Sequence, residues 1–269
     1  MNLIEIEKRT RIVSNLEKII YNAGKLLLQK QNEVQIKNVP EKDFVTEADY
    51  WSENFILNNL NKLFPGIPFY SEEKGGMADR NAEYLWVIDP LDGTVNYARQ
   101  DFNWGISVAL LHQGITEIGL VYLPKLRKIF ITDKSRNSLK PSLWVSKRNL
   151  PKDRVTPLLD WSKNKTLDRF TSELFLHLKK QIFYPQVRLC ATASLMAVAQ
   201  GQCEVYIHPG PEPFDIAAAC LIVELAGGKV TDFAGNPWHP FSPNIIASNG
   251  LVHDKILNIV KCDSKKLSE

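Results

Sequence analysis

Two carboxylates stand three residues apart at the end of an apolar run. Residues 86–94 read W-V-I-D-P-L-D-G-T, so that Asp89 precedes a proline and Asp92 precedes a glycine. Because Asp, Pro and Gly are the usual turn residues, one interpretation is a buried strand that simply ends in a turn. The other is a bent backbone that presents both carboxylates and the Leu91 carbonyl to a common pair of metal ions.

Other acidic residues share this context, each where a helix or strand is expected to begin or end. They are Asp49 in T-E-A-D, Glu72 and Glu73 after P-F-Y-S, and Asp215 at a helix start. If these carboxylates converge, they repel one another unless cations lie between them. All-oxygen ligation without His or Cys spacing favours Mg²⁺ or Mn²⁺ over Zn²⁺.

The residues after Asp92 add a site for an anion. Gly93 and Thr94 offer N–H groups at the start of a following helix, and that end of a helix attracts phosphate. Hard divalent ions beside such a terminus can activate a nucleophile and stabilise a leaving oxygen. The combination therefore predicts phosphoryl transfer to water.

The hydrophobic pattern predicts the elements that position these acids. Apolar residues at three- and four-residue steps from Ile12 to Leu27 indicate a long amphipathic helix. A second helix is predicted to begin near Thr46 and to end at residues 64–66. Five strands are then predicted, in the segments P-F-Y-S, L-W-V-I, I-S-V-A-L-L, I-G-L-V-Y and K-I-F-I-T.

The second half of the chain also interleaves helices and strands. Residues 133–165 are polar and predict a loop-rich connection between two halves. A helix near residues 167–179, a small-residue helix in A-S-L-M-A-V-A and a strand in V-Y-I are predicted next. The last predicted helix starts at Asp215 and ends at Gly227-Gly228, with the expected order of carboxylate first and glycine last.

Composition limits the class of protein. With 269 residues, 44% hydrophobic, the chain can form one large domain or two packed halves. The net charge of +3 falls short of the basic face that nucleic-acid binding needs. Four cysteines without C-x-x-C spacing predict a reducing compartment, and the charged N-terminus predicts no signal peptide or membrane span. We therefore expect a cytoplasmic protein.

Four motifs occur in a fixed order along the chain: D-F-V-T-E-A-D at 43–49, S-E-E at 71–73, W-V-I-D-P-L-D-G-T-V-N-Y at 86–97, and F-D-I-A-A at 214–218 followed by E-L-A-G-G. With them the chain resembles the inositol monophosphatase family of Mg²⁺-dependent, typically lithium-sensitive phosphatases over nearly its whole length. The resemblance implies one mixed α+β domain, 1–269, folded as a layered α-β-α-β-α sandwich of the inositol monophosphatase and sugar phosphatase type. It also implies an N-terminal metal-binding half (about 1–132), a C-terminal half (about 142–269) and a homodimer.

The resemblance also implies roles for individual residues. The site would hold two to three Mg²⁺ ions, with Mn²⁺ as a substitute and Li⁺ as an inhibitor, and its metal ligands would be Glu72, Asp89, the Leu91 carbonyl, Asp92 and Asp215. Glu73 would support these ligands. The catalytic residues would be Asp49, Thr94 and Glu72, of which Asp49 and Thr94 orient and activate the attacking water, and the Gly93 and Thr94 amides would bind phosphate.

The substrate is left open by a departure from the family pattern. Seven residues before Asp215, inositol-hydrolysing members carry an acid that binds substrate hydroxyls, and this chain has His208. We expect His208 and Arg188 to line the leaving-group side. The predicted function is inositol-phosphatase-like hydrolysis of a small polar phosphate. The alternative substrates are 3'-phosphoadenosine 5'-phosphate, fructose 1,6-bisphosphate and histidinol phosphate.

A function of another class also stays open. The atypical residues 133–146 and His208 would permit a catalytically silent binding or regulatory protein on the same fold. The intact carboxylate set favours the enzyme, because a protein without metals has little reason to keep five apposed acids that repel one another. No nucleic-acid or membrane partner is expected.

Overall fold

A computed structural model describes residues 3–31, 47–74, 80–147, 155–162, 164–181 and 184–265. Their helices are α1 (Leu3–Lys30), α2 (Glu47–Leu63), α3 (Thr94–Ala98), α4 (Lys165–Gln181), α5 (Ala191–Ala199), α6 (Pro213–Leu225) and α7 (His253–Lys265). Their strands are β1 (Phe69–Ser71), β2 (Tyr84–Asp92), β3 (Gly105–His112), β4 (Ile115–Leu123), β5 (Lys128–Asp133), β6 (Ser138–Lys140), β7 (Pro157–Leu159), β8 (Gln186–Val187), β9 (Val205–His208), β10 (Lys229–Thr231) and β11 (Ile245–Ser248).

The strands form two sheets. The first sheet has the order β1-β2-β3-β4-β5-β6 and is antiparallel except for the parallel pair β1 and β2. The second sheet has the order β10-β11-β9-β7-β8, in which β7 runs parallel to both of its neighbours. Each sheet is therefore mixed.

Helices and sheets alternate in five layers. Trp86 and Ile88 of β2 pack with α1 and α2, whereas Leu85 and Val87 face α5 and α6, because successive side chains of a strand point to opposite faces. The second sheet covers the other side of α5 and α6, and α4 and α7 pack on its outer face. The predicted α-β-α-β-α sandwich is confirmed.

The two central helices are apolar on every side. All of α5 and most of α6 are buried, as expected for helices enclosed by a sheet on each face. Helix α6 approaches β4 so closely that a Cβ on Gly119 would lie 2.9 Å from the Ala218 carbonyl oxygen. Small residues are therefore required at this contact.

The predicted strands before residue 133 are confirmed, whereas two later predictions were wrong. Residues 133–165 contain β6 and β7, and β7 lies inside the second sheet. Its three buried residues, P-L-L, are too few to show a strand period, and proline usually argues against a central strand. Helix α6 begins at Pro213, two residues before the predicted start, because proline suits the first helical position.

Some predictions have no structural outcome. Thr46, the predicted start of the second helix, and residues 43–45 of the first motif lie outside the described residues, and α2 is described from Glu47. The division into halves at about 132 and 142 stays a prediction. Across the described ranges, no helix combines the length and the apolar character needed to cross a membrane.

Replacing Gly119 with valine should destabilise the fold. The added atoms meet the α6 backbone, so we expect the free energy of unfolding to fall by about 3 kcal/mol in urea denaturation. The control is Gly66→Ala, where an added Cβ would have no atom within 4 Å but the backbone φ is +85°. Gly66→Ala should lower the free energy of unfolding by about 1 kcal/mol, from backbone strain alone. Equal losses in both variants would contradict close packing at Gly119.

Candidate active site

The D-P-L-D segment is a bulge within a strand and not a turn. Strand β2 pairs with β3 at Asp89–Ser107 and again at Asp92–Gly105, so β2 has one extra residue between these pairs. Pro90 lies in the bulge, where a residue without an N–H is tolerated. A bulge changes the direction of the side chains beside it. The interpretation of a buried strand that simply ends in a turn was therefore wrong.

Residues at the start of α5 donate hydrogen bonds to Asp92. Its Oδ2 accepts hydrogen bonds from the Thr192 amide and the Thr192 hydroxyl, each at 2.6 Å, and from the Cys190 thiol at 3.2 Å. Burial and Asp92 raise the pKa of Cys190 well above its usual value, so this thiol stays protonated and remains a donor. The N-terminal end of α5 also favours negative charge.

Asp89 and Asp215 are each tied to nearby backbone. Asp89 Oδ1 accepts from the Leu91 amide at 3.0 Å, and Asp215 Oδ2 accepts from the Glu212 amide at 2.7 Å. Asp215 is the third residue of α6 and so forms part of the cap of that helix. Capping thus fixes one carboxylate oxygen of Asp215 in place.

These acids repel one another. Burial is the main cause that raises the pKa of Asp89 and of Asp215 well above the usual aspartate range. The charges of Glu72 and Asp92 raise both pKa values further, and burial also raises that of Asp92, against the hydrogen bonds from Thr192. The charges of Glu72, Asp92 and Asp215 thus act on Asp89, and the joint ligand site predicted for these four acids stays a prediction.

The donor set fits a hard cation. It consists of carboxylate oxygens with one backbone carbonyl, in a buried setting where a positive charge would offset the repulsion. Within the described ranges, no three His, Cys, Asp or Glu side chains already form a cluster that could hold a metal ion. The individual ligand assignments therefore stay predictions.

Thr94 joins this cluster to α2. Its hydroxyl oxygen lies 2.9 Å from Asp49 Oδ1 and 3.1 Å from the Leu91 carbonyl oxygen, and Asp49 is buried. The preceding Gly93 has a φ of +84°, and a Cβ there would lie 2.8 Å from the Asn103 carbonyl oxygen. Both the backbone conformation and the available space therefore require glycine at position 93, between Asp92 and Thr94.

Glu53 holds the segment that carries Glu72 and Glu73. This fully buried side chain accepts hydrogen bonds from the Ser71 hydroxyl at 2.6 Å and the Lys74 amide at 3.1 Å. Glu53 stands outside the four sequence motifs. A signal for Glu53 is nevertheless present in the sequence. Glu53 lies four residues after Asp49, and positions four apart in a helix share one face, which predicts that both side chains point to the same site.

A cavity of about 670 Å³ opens beside these groups. Its lining includes Glu72, Glu73, Asp92, Gly93, Thr94 and Asp215, which are predicted to bind metal or phosphate. Asp160, Trp161, Leu189, His208 and Phe214 also line it. Asp49, Asp89 and Leu91 do not line the cavity.

The structure brings only one of the two predicted leaving-group residues to this cavity. His208 lies there at the end of β9, and burial lowers its pKa to about 3, so that the imidazole is neutral at physiological pH. Arg188 is not a lining residue. Its carbonyl accepts a hydrogen bond from the Asn96 side chain. Burial raises the pKa of Cys203 to about 12, and the charge of Arg188 opposes this rise.

Residues 8–265 match the model of the inositol monophosphatase family. The chain belongs to the inositol monophosphatase family. It is 31% identical over 257 residues to a fructose-1,6-bisphosphatase/inositol-1-monophosphatase of Thermotoga maritima, covering 90% of this chain and 93% of that protein. It is 29% identical over 245 residues to a putative Nus factor SuhB of Neisseria meningitidis serogroup B, covering 88% and 93%.

Solved structures agree with this family membership. The structure of an inositol monophosphatase of Thermotoga maritima superposes with a TM-score of 0.83 at 28% identity, covering 96% of this chain and 99% of that one. The predicted family is confirmed, and with it the class of enzyme, a phosphoric monoester hydrolase.

Replacing Thr192 with valine should weaken cation binding. The change removes one donor to the charged form of Asp92 and keeps the side-chain shape, so we expect the Mg²⁺ dissociation constant in calorimetry to rise about tenfold. Thr132→Val is the matched control, because the Thr132 hydroxyl bonds the Ser138 carbonyl between β5 and β6. Unaltered Mg²⁺ affinity in Thr192→Val would show that Thr192 does not support the site.

Proposed function

We propose that this protein is a Mg²⁺-dependent phosphomonoesterase that hydrolyses a small polar phosphate monoester. The observation that carries this proposal is the set of buried, mutually repelling acids Asp89, Asp92 and Asp215 beside one cavity. Such a set is costly unless cations neutralise it. The similarity to the Thermotoga fructose-1,6-bisphosphatase/inositol-1-monophosphatase supports an activity of this kind.

The residues that would hold two to three Mg²⁺ ions are Glu72, Asp89, the Leu91 carbonyl, Asp92 and Asp215, with Glu73 in support. When bound, Mg²⁺ supplies a more acidic water and stabilises negative charge on the transferring phosphoryl group and the leaving oxygen. We expect Mn²⁺ to substitute for Mg²⁺ and Li⁺ to inhibit.

Asp49 and Thr94 would orient the attacking water. A buried carboxylate within 2.9 Å makes the Thr94 hydroxyl a donor to Asp49, which leaves the lone pairs of Oγ1 to accept a hydrogen bond from water. The water then has a fixed direction and loses its proton toward this pair. Water is the nucleophile, and no covalent phosphoenzyme forms.

The phosphate group would be bound by the Gly93 and Thr94 amides. Gly93 is needed for this role because its left-handed backbone turns the chain immediately after Asp92. Catalysis by these groups depends on positioning and on electrostatic stabilisation, as in other phosphoryl transfers. His208 lines the cavity as a neutral imidazole and adds no charge to it.

We also propose a cytoplasmic homodimer without a nucleic-acid or membrane partner. Cys190, Cys203 and Cys220 are buried free thiols, as is common in reducing compartments. The dimer is proposed from the family resemblance.

A second candidate function is a catalytically silent regulatory protein. The similarity to the relative named putative Nus factor SuhB favours it. That similarity covers 88% of this chain, almost as much as the 90% covered by the similarity to the Thermotoga relative. Such a protein would keep the fold and release no phosphate.

The test is phosphate release from inositol 1-phosphate, 3'-phosphoadenosine 5'-phosphate, fructose 1,6-bisphosphate and histidinol phosphate. Each is measured with Mg²⁺, without Mg²⁺ and with Mg²⁺ plus Li⁺. We expect release from at least one substrate, dependent on Mg²⁺ and reduced by Li⁺. A folded protein that binds Mg²⁺ and releases phosphate from none of them would favour the regulatory function.

Replacing Asp92 with asparagine should nearly abolish turnover. Losing one charge of the metal site lowers kcat by on the order of a hundredfold or more. The same change should leave the metal-free fold at least as stable, because a carboxylate whose pKa is raised on folding destabilises the folded state once the pH exceeds its unfolded pKa.

The matched control for this prediction is Asp254→Asn. The Asp254 side chain is exposed and pairs with Lys229 on the surface, so kcat should not change. Wild-type turnover in Asp92→Asn would remove Asp92 from the site. Thermal unfolding of both metal-free variants measures the stability effect.

A further inference from the structure

The cavity lining includes two large apolar side chains that are not packed away, Trp161 at 38% and Leu189 at 41% exposed. Phe214 and the neutral imidazole of His208 also line the cavity. A flat apolar ring could cover the exposed faces of Trp161 and Leu189, whereas the hydroxyls of a polyhydroxylated ring would form no hydrogen bond with either side chain.

Leu189 occupies a backbone conformation that favours glycine. Its φ is +55°, in the left-handed region that costs free energy for a residue with a branched side chain. Strain of this kind concentrates at ligand sites, where the surrounding structure maintains it. Here the next residue, Cys190, caps α5 and binds Asp92, so the backbone that supports the acids also directs Leu189 to the cavity.

Three polar lining residues, Asp160, Ser162 and Asn164, stand close to Trp161 in the chain, and together they are called the polar edge. Asp160 follows β7, is buried, and accepts a hydrogen bond from the Tyr206 hydroxyl at 3.2 Å. Ser162 and Asn164 continue this edge and also line the cavity. The arrangement therefore suits a ring whose face is apolar and whose rim carries a hydrogen-bonding group.

We propose that Trp161 and Leu189 form a subsite that selects phosphate monoesters with an aromatic ring in the leaving group, which stacks on Trp161 and contacts Leu189. This inference deepens the proposed function and rests on it. The polar edge at Asp160, Ser162 and Asn164 then faces substituents of the ring. Selectivity follows because a stacked ring removes the exposed faces of both side chains from water.

The experiment compares two alkyl phosphates, 2-phenylethyl phosphate and glycerol 2-phosphate. In both, the leaving group is an alkoxide, so differences in intrinsic reactivity stay small. We expect Trp161→Ala to lower kcat/KM for 2-phenylethyl phosphate about tenfold, mainly through KM, and to change kcat/KM for glycerol 2-phosphate less than about twofold. Leu189→Gly should lower kcat/KM in the same selective way, without a lower unfolding temperature.

Two further variants separate stacking from a general defect. Trp161→Phe keeps an aromatic face and should retain most of the activity toward 2-phenylethyl phosphate. Trp144→Ala removes a tryptophan that is 69% exposed and does not line the cavity, and it should have no effect on either substrate. Equal losses for both substrates in Trp161→Ala, or no loss for either, would overturn the subsite.

The absence of phosphatase activity can be distinguished from the absence of the subsite. If no substrate releases phosphate, calorimetric binding of 2-phenylethyl phosphate tests the subsite alone. Binding to Trp161→Ala that is about tenfold weaker than to Trp144→Ala supports the inference. Equal binding to the two variants overturns it.

Discussion

The structure depends on holding several carboxylates together in a buried place. Burial raises the pKa of Asp89 and Asp215, and each acid adds to the repulsion felt by the others. Such an arrangement relaxes unless rigid elements oppose it. The hydrogen bonds of Thr192 to Asp92, of Leu91 to Asp89 and of Glu212 to Asp215 each fix one oxygen, so that relaxation is resisted by backbone and not by mobile side chains.

The need to hold these carboxylates in place explains why α5 and α6, the helices between the two sheets, are apolar on every side. The starts of α5 and α6 deliver Thr192 and Asp215, and both helices must be immobile for these groups to stay in place. Enclosure between two sheets achieves this, because it buries all sides of each helix and leaves little freedom to shift.

The sequence predicts the acids and most strands, because each of these signals is local. Apolar runs mark β1 to β5, and the carboxylates stand in short recognisable motifs. Two other features have no such local signal. Strand β7 has three residues, which is too short to show a period, and the hydrogen bond from Thr192 to Asp92 joins residues that are 100 positions apart. Side-chain direction is equally hidden, since His208 reaches the cavity and Arg188 does not.

The separation of Thr192 from Asp92 has a consequence for how the chain folds. The first sheet consists of neighbouring strands in chain order and can form through short loops, whereas the carboxylate site needs a loop of 100 residues to close. The site is thus completed only when α5 and α6 dock between the sheets. During synthesis, the first sheet can therefore form before α5 is made, and its apolar inner face stays exposed to water until α5 and α6 dock on it.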